Sequence, residues 1–485
     1  MTEHYEQVQR KALFIVPPTG KYIREDRCQT PIKEMKTIAL RPPVDLMYTA
    51  AAAEARGTEC RLIDFPAEEL TWQDLERVLV EFRPDVLILS ITTPSLSEDV
   101  HAAELAKQLV PGVFVVAKGA HFLYLDKDAM EHYLALSAVV RGEYEYSIAE
   151  ICEGKMPLAE ILGLTYRDAD GQIIRNESRP FITDLDALPF PARHLAKNAL
   201  YTRPDTGEMQ TTIVTNRGCP FSCIFCLSNE VSGKVNRMRS PENVVAEIEE
   251  CVVKHGIRSF LFRSDLFTQN HDWVKKLCAL IIEKNLNIEW AANSRVDTLS
   301  PDILEAMKKA GCWVLAFGIE TADPEMLKHI NKRATVEQAR VALKMTRAAG
   351  IRTSIYLLIG LPWDTPKTID TSVRFAIETM PDYVEIFYPY PFLGTALHRI
   401  AVENKLLDPN TIPRSAYAHP AMPAISMTIE ELADYRRKSL RRIYLRPRYI
   451  MHILLSCRSF KELARYISVG MATLRQLMRK NSEQG

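Results

Sequence analysis

The 485-residue chain has no excess of charge: Lys+Arg and Asp+Glu number 61 each. Such a balance sets up no field that draws in nucleic acid or an anionic membrane, and no nucleic-acid partner is expected. Long apolar runs are missing too. No stretch approaches the roughly 20 apolar residues that span a bilayer, so no transmembrane segment is expected. The polar opening MTEHYEQVQRK lacks the order of a secretory signal, which points to a cytoplasmic protein. The 10 cysteines are too sparse in so long a chain for a disulfide framework. No G-x-G-x-x-G follows the first apolar run and no P-loop occurs, which argues against a dinucleotide or a nucleoside triphosphate. Internal repeats and low-complexity tracts are absent as well.

What is present is an alternation of strands and helices in a chain long enough for several domains. Residues 10–152 read as a doubly wound, Rossmann-like α/β domain. There ALFIVPP, CRLIDFP, DVLILSI, VFVVAKG and SAVVRGE are short apolar runs ending in turn residues, with helical spacing between them. Residues 153–205 read as a linker, with a hairpin-like element at Asp170–Gly171 and an extended strap carrying Pro189 and Pro191.

From 206 to 397 the alternation resumes with TTIVT, SFLFR, NIEWAA, WVLAFGI, SIYLLIG and YVEIFYP as strands. Ser240-Pro241, Ser300-Pro301, Asp323-Pro324 and Thr365-Pro366 each place a capping oxygen before a proline at the first helical position. Thr335 with Gln338 reads as a capping box, and Gly311 and Gly350 sit where helices should end. The expectation is a partial (β/α)6 barrel with its chemistry at the C-terminal strand ends. Cys251 and Cys278 fall in apolar helical stretches and read as small buried hydrophobes.

Residues 398–485 read as a C-terminal helical region rich in arginine. Two readings of its charge stay open: a solvated amphipathic face, or a docking surface for an acidic or lipid-like substrate or a membrane. The charged segment KYIREDRCQTP after the first strand is equally open. It is either a solvated loop or one whose Arg24, Arg27 and Cys28 face a ligand.

The concentrated chemistry is CPFSCIFC, in which Cys219, Cys223 and Cys226 are spaced C-x3-C-x2-C directly after the first barrel strand. Structural zinc sites close with four ligands, often as two C-x2-C pairs, and no second pair exists here. A [4Fe-4S] cluster takes one thiolate per iron. Three thiolates leave one iron open to a substrate or a second cofactor.

These residues, with Phe225 before the last cysteine, resemble the cluster motif of the radical S-adenosylmethionine (SAM) enzymes. The resemblance implies a [4Fe-4S] cluster whose open iron is chelated by SAM. One electron from that cluster, supplied by an external flavodoxin- or ferredoxin-type donor, cleaves SAM to a 5'-deoxyadenosyl radical. It further implies that Phe225 and several strand-end residues contact SAM. Asp265 in RSDLFTQN would lie near the SAM amino end, although the common Gly-Gly-Glu form is absent. In ANSRVD the candidates are Ser294 and Arg295, the latter pairing with the SAM carboxylate. Glu320 in FGIETAD would accept from ribose hydroxyls, and the backbone of Gly360 and Leu361 in LLIGLPWDT would border the adenine.

The loops of the first domain resemble those of the cobalamin-binding domain that precedes the barrel in one subgroup of this family. Pro17-Pro18, Thr92-Thr93 with Ser95, Gly119 with His121, and Arg141-Gly142-Glu143 carry the likeness. It implies cobalamin contacts at Pro18, Thr92, Thr93, Ser95, Gly119, His121, Gly142 and Glu143. The D-x-H-x-x-G motif is absent. That departure implies cobalamin bound with its dimethylbenzimidazole tail off cobalt and no histidine in its place, His121 serving its own loop. The resemblance covers about residues 10–395; beyond it, FYPYPFLGTAL and YLRPRYI are patterns shared with the subgroup of the anaerobic oxidative cyclase and the hopanoid-modifying enzymes.

The implied function is methyl transfer through methylcobalamin to an unactivated carbon of a small-molecule or lipid-like substrate. Two other readings stay open: a cobalamin-containing radical cyclase or ring-rearranging enzyme using the same residues, and a non-catalytic cobalamin or iron sensor. A methylthiotransferase is disfavoured, because no second cysteine triad exists to hold an auxiliary cluster.

Overall fold

The computed structural model describes residues 9–26, 28–32, 40–409, 417, 419–457 and 464. They form two compact units, the first built chiefly on Pro42–Leu200 with the first strand, the second on Tyr201–Asn229 and the chain from Lys234 onward.

The strands up to Arg175 are β1 (Lys11–Val16), β2 (Tyr22–Glu25), β3 (Cys28–Pro31), β4 (Glu59–Asp64), β5 (Val86–Ser90), β6 (Phe114–Lys118), β7 (Ala138–Val140), β8 (Leu164–Arg167) and β9 (Ile173–Arg175). Seven of them form one sheet in the order β4-β1-β5-β6-β7-β8-β9, parallel as far as β7. The apolar runs are continuous because helices cover both faces: every residue of β5 is buried. The chain steps from β1 to β4 on one side and then to β5 on the other. The order therefore reverses beside β1, and a crevice opens between the C-terminal ends of β1 and β5.

The segment expected as a linker contributes β8 and β9, an antiparallel hairpin that adds to β7. The reason is physical: without it the short β7 would present an open edge. Arg141, 4% exposed, holds the hairpin's neighbourhood, donating to Thr165 Oγ1 at 3.1 Å and to the Asn176 carbonyl at 2.5 Å.

The second unit continues with β10 (Gln210–Val214), β11 (Asn216–Arg217), β12 (Arg237–Met238), β13 (Ser259–Arg263), β14 (Glu289–Ser294), β15 (Cys312–Glu320), β16 (Arg352–Leu358) and β17 (Tyr383–Phe387). Six of these form a parallel sheet in sequence order, β10-β13-β14-β15-β16-β17. This is the partial barrel expected from the sequence. Its helices start where the caps predict: Ser240, Asp323 and Thr365 each accept a backbone N–H of the helix that follows. Ser300 also takes the N-cap position but bonds Asp302 rather than the backbone, and Thr335 with Gln338 forms the capping box. Between sheet and helices lies a core in which Phe262 stacks on Trp290 at 4.7 Å, with Cys251 and Cys278 fully buried.

The arginines after residue 428 divide: Arg442 is exposed and pairs with Asp370, Arg437 pairs with Asp434, and Arg436 turns to the barrel sheet. The helix Ile429–Tyr444 packs against the helix Pro366–Thr379, and two of its side chains reach the backbone of β17, the open edge of the barrel sheet. Arg436 Nε donates to the Ile386 carbonyl at 2.7 Å, and the Tyr444 hydroxyl accepts from Val384 N–H at 3.1 Å while donating to the Val384 carbonyl. From the next helix, Pro447–Ser456, Tyr449 donates to the Asp382 carbonyl at 2.7 Å. The arginine-rich stretch SFKELARYISVGMATLRQLMRK lies, Ala464 apart, outside the described residues. Among the described residues no helix is long and apolar enough to cross a membrane.

Candidate active site

The cysteine loop follows β11 at the C-terminal end of β10, and each of its three thiols is half-buried. Its backbone is fixed from several sides. Asp265, expected near SAM, accepts the Gly218 N–H on Oδ2 at 2.6 Å and so anchors the loop one residue before Cys219. Ile224 donates its N–H to the Ile330 carbonyl at 3.2 Å and accepts from Leu397 N–H at 2.9 Å. Asn331 Nδ2 donates to the Ser222 carbonyl at 2.9 Å. Ile224 and Phe225 enter an apolar cluster with Met326, Leu327, Leu361 and Leu397. Phe225 thus seats the loop, while a turn closed by Cys226 N–H on the Cys223 carbonyl at 3.1 Å sets the last two thiols.

No three His, Cys, Asp or Glu side chains among the described residues gather as a single metal ion requires. A four-iron cluster takes one thiolate per iron, so its ligands stand farther apart. Burial pushes the Cys223 thiol up to about 11, against the pull of Lys332 and Arg295 beside it. Two cations next to a thiolate-rich loop suit an anionic cluster, and the donor set fits the implied group.

Around this loop the strand ends converge. Glu320 closes β15 with φ +66°, a left-handed value rarely taken by a residue with a side chain, at a register shift between Gly318 and Glu320. Its carboxylate bonds the ammonium of Lys332 at 2.8 Å, both side chains being buried. Arg295 stacks on the Phe221 ring at 3.7 Å, pairs with Asp297 at 2.8 Å and donates to the Lys332 carbonyl at 3.1 Å. The Ser294 hydroxyl bonds Thr268 at 2.5 Å, a tie between the ends of β13 and β14.

After β16, Gly360 takes φ +99°, and the N–H groups of Gly360 and Leu361 both donate to Asp364 Oδ2, at 2.9 and 3.0 Å. Asp364 therefore shapes the segment expected to border adenine. Burial raises its carboxyl to about 6 despite those hydrogen bonds. Lys332, Asn331 and Asp364 went unread in the sequence. They lie in turns, where no periodicity marks them.

In the first unit the expected cobalamin residues lie on the loops at the C-terminal strand ends. Pro18 is the apex of a tight turn in which Thr19 N–H donates to the Pro17 carbonyl at 2.8 Å. Thr92 and Ser95 share a hydrogen bond of 2.6 Å, and Ser95 donates to the buried Asp99 at 2.6 Å. Thr93 N–H goes to Gln29 Oε1 at 2.8 Å. Gly119 has φ +147°, and a Cβ there would lie 2.2 Å from the Ile91 carbonyl oxygen, so only glycine fits. Glu143 accepts the Ile182 N–H at 2.7 Å, whereas a Cβ on Gly142 would meet open space.

His121 is buried, its Nδ1 lies 3.3 Å from Thr93 Oγ1, and its Nε2 has no partner. Burial lowers its pKa to about 4, so the ring is neutral near pH 7. An orphaned buried nitrogen near the Thr93 hydroxyl, on a loop at the C-terminal strand ends, fits a polar ligand there. Arg24, read as a solvated or ligand-facing group, is not solvated. It makes a buried ion pair with Asp99 at 2.7 Å and donates to the Ser90 carbonyl at 2.7 Å. Arg27 and the Cys28 side chain lie outside the described residues.

A thiolate loop at the mouth of a parallel partial barrel, in a chain that also carries a doubly wound ligand-binding unit, defines an enzyme working with two cofactor systems. The comparisons specify which. Residues 213–376 match the Radical SAM superfamily and residues 40–152 match the B12 binding domain. An uncharacterized methyltransferase of Pyrococcus horikoshii is 31% identical over 444 residues, covering 91% of this chain and 94% of that protein. The anaerobic magnesium-protoporphyrin IX monomethyl ester cyclase of Cereibacter sphaeroides is 26% identical over 418 residues, covering 84% and 67%. Among solved structures, the cobalamin-dependent SAM radical enzyme OxsB, with aqua-cobalamin and SAM bound, superimposes with TM-score 0.74 at 14% identity, covering 97% of this chain and 71% of that one. This chain belongs to the radical SAM superfamily, in the group whose barrel follows a B12-binding domain, and its cofactors are a [4Fe-4S] cluster, SAM and cobalamin.

Proposed function

We propose that this enzyme methylates an unactivated carbon of a small-molecule or lipid-like substrate, drawing electrons from an external flavodoxin- or ferredoxin-type donor. The observation that carries the reading is the likeness to a methyltransferase over 91% of the chain, with both cofactor domains included. When bound, the cluster and SAM supply hydrogen-atom abstraction and cobalamin supplies the methyl group; the protein positions and shields.

The residues divide that task. Cys219, Cys223 and Cys226 hold the cluster, on a loop pinned by Asp265, Asn331 and the apolar cluster around Ile224. Glu320 presents a carboxylate to ribose hydroxyls, while Gly360 and Leu361, tied to Asp364, give the adenine a rigid backbone wall. Arg295 offers its guanidinium beside the loop, held flat by Phe221. In the first unit Pro18, Thr92, Thr93, Ser95, Gly119, His121 and Gly142 line the corrinoid crevice, and Glu143 fixes the last of these loops.

The test uses anaerobically reconstituted full chain, loaded with hydroxocobalamin and reduced with SAM present. A base-off cobalamin spectrum, with 5'-deoxyadenosine and S-adenosylhomocysteine as products, is the expected result. 5'-Deoxyadenosine without S-adenosylhomocysteine would replace methyl transfer by the cyclase reading. Absence of cobalamin uptake and of SAM cleavage would leave a binding protein.

A further inference from the structure

The turn Ile330–Lys332 meets three parts of the site at once. Through Ile330 and Asn331 it bonds the backbone of the cysteine loop, at Ile224 and Ser222. The Lys332 carbonyl accepts from Arg295 at 3.1 Å, and the Lys332 ammonium reaches Glu320 at 2.8 Å. The helix Pro324–His329 ends immediately before it, and Asn331 and Arg333 both take φ +52°. Lys332 is turned inward by this left-handed turn and is 9% exposed.

A buried ion pair is a poor source of net stability, because desolvating two charges costs about as much as their attraction returns. This pair is nevertheless built for: a Cβ at Gly318 would lie 2.3 Å from Glu320 Oε1 and 2.9 Å from Lys332 Nζ. The missing side chain at 318 is the space that the pair occupies. The strained φ of Glu320 aims its carboxylate into that same space.

We infer that Lys332 is a positioning residue of this site, its ammonium fixing the Glu320 carboxylate toward SAM. The inference rests on the SAM role proposed above. The pair is held from both sides: the left-handed turn at Asn331 brings Lys332 inward, and Gly318 leaves the room in which the two side chains meet.

The test measures SAM affinity by anaerobic equilibrium dialysis, with iron content as the control, on the reconstituted full chain. Lys332→Met is expected to bind SAM about tenfold more weakly at unchanged iron content, the loss of one charge-assisted hydrogen bond. Lys332→Arg, which keeps the charge, should restore the affinity. Gly318→Ala should weaken SAM binding by displacing the Glu320 carboxylate. Wild-type affinity in Lys332→Met would overturn the inference and leave the SAM site standing. If Lys332→Met loses its iron, Gly318→Ala decides, and unchanged SAM affinity there overturns the inference. Failure of the wild type itself to hold iron or SAM overturns the site reading, and the inference with it.

Discussion

Replacing Asp364 with asparagine keeps the shape of the loop after β16 and removes one titration. In the wild type the carboxylate is 3% exposed and accepts from Gly360, Leu361 and the Thr368 hydroxyl. Burial, with Asp323 adding repulsion, raises its pKa from 3.8 to about 6 in the folded chain. Between those two values the folded protein keeps a proton that the unfolded chain has released. Folding stability therefore falls as pH rises from about 4 to about 6 and stays flat above, by up to about 3 kcal/mol from this group. Asparagine still accepts the two backbone N–H groups, and the Thr368 hydroxyl can turn to accept from its amide. Asp364→Asn should match the wild type near pH 4 and exceed it by about 1–3 kcal/mol near pH 8. The measurement is urea unfolding of wild type and variant across that range, taken as the difference between them, so that titrations common to both cancel. A difference that does not change with pH would refute the reasoning, because Asp364 would then ionise alike in folded and unfolded chains.

Cys223→Ala should strip iron from the reconstituted protein, read by iron and sulfide analysis; an unchanged iron content would remove the cluster from this loop. Gly119→Ala should abolish retention of hydroxocobalamin on gel filtration while sparing SAM binding. Its methyl must adopt φ +147° and sit 2.2 Å from the Ile91 carbonyl, a strain and overlap of about 2–6 kcal/mol. Normal cobalamin retention would mean that the two strand ends can part at little cost. Tyr444→Phe should lower the thermal midpoint by several degrees, because the buried Val384 N–H loses its partner at a cost of about 1–3 kcal/mol. An unshifted midpoint would show that β17 does not depend on its side-chain caps.

The parallel strands of both sheets were legible because each is an apolar run cut off by a turn residue, and that pattern is local; the antiparallel β8 and β9 fell in the expected linker. The cluster loop was legible for the same reason: three cysteines in eight residues need no fold to be noticed. What the sequence hid is pairing across distance. Arg24 meets Asp99 only because β1 and β5 are neighbours, and Lys332 meets Glu320 only because one turn folds back under a strand end. Neither arginine nor lysine carries a mark of its partner, and a buried charge reads as a surface charge until the topology is known. Gly318 is subtler still, since its role is to be absent from a space.

The C-terminal arginines show how composition misleads in a predictable way. A cationic helix after an enzyme domain invites an anionic or lipid partner, yet Arg436, with its neighbours Tyr444 and Tyr449, is turned to the backbone of β17 and the residue before it. A closed barrel has no edges, but a partial one must end, and each terminal strand exposes N–H and C=O groups that would otherwise pair with another chain. Adding strands short of closure would not solve this, because the unpaired groups lie on the last strand whatever the barrel's span. Long side chains that donate or accept at their tips can satisfy such groups without adding a strand. Arg436 and Tyr444 thus answer to the openness of the barrel, an architectural need that composition alone displays as charge, while Arg437 and Arg442 pair with Asp434 and Asp370.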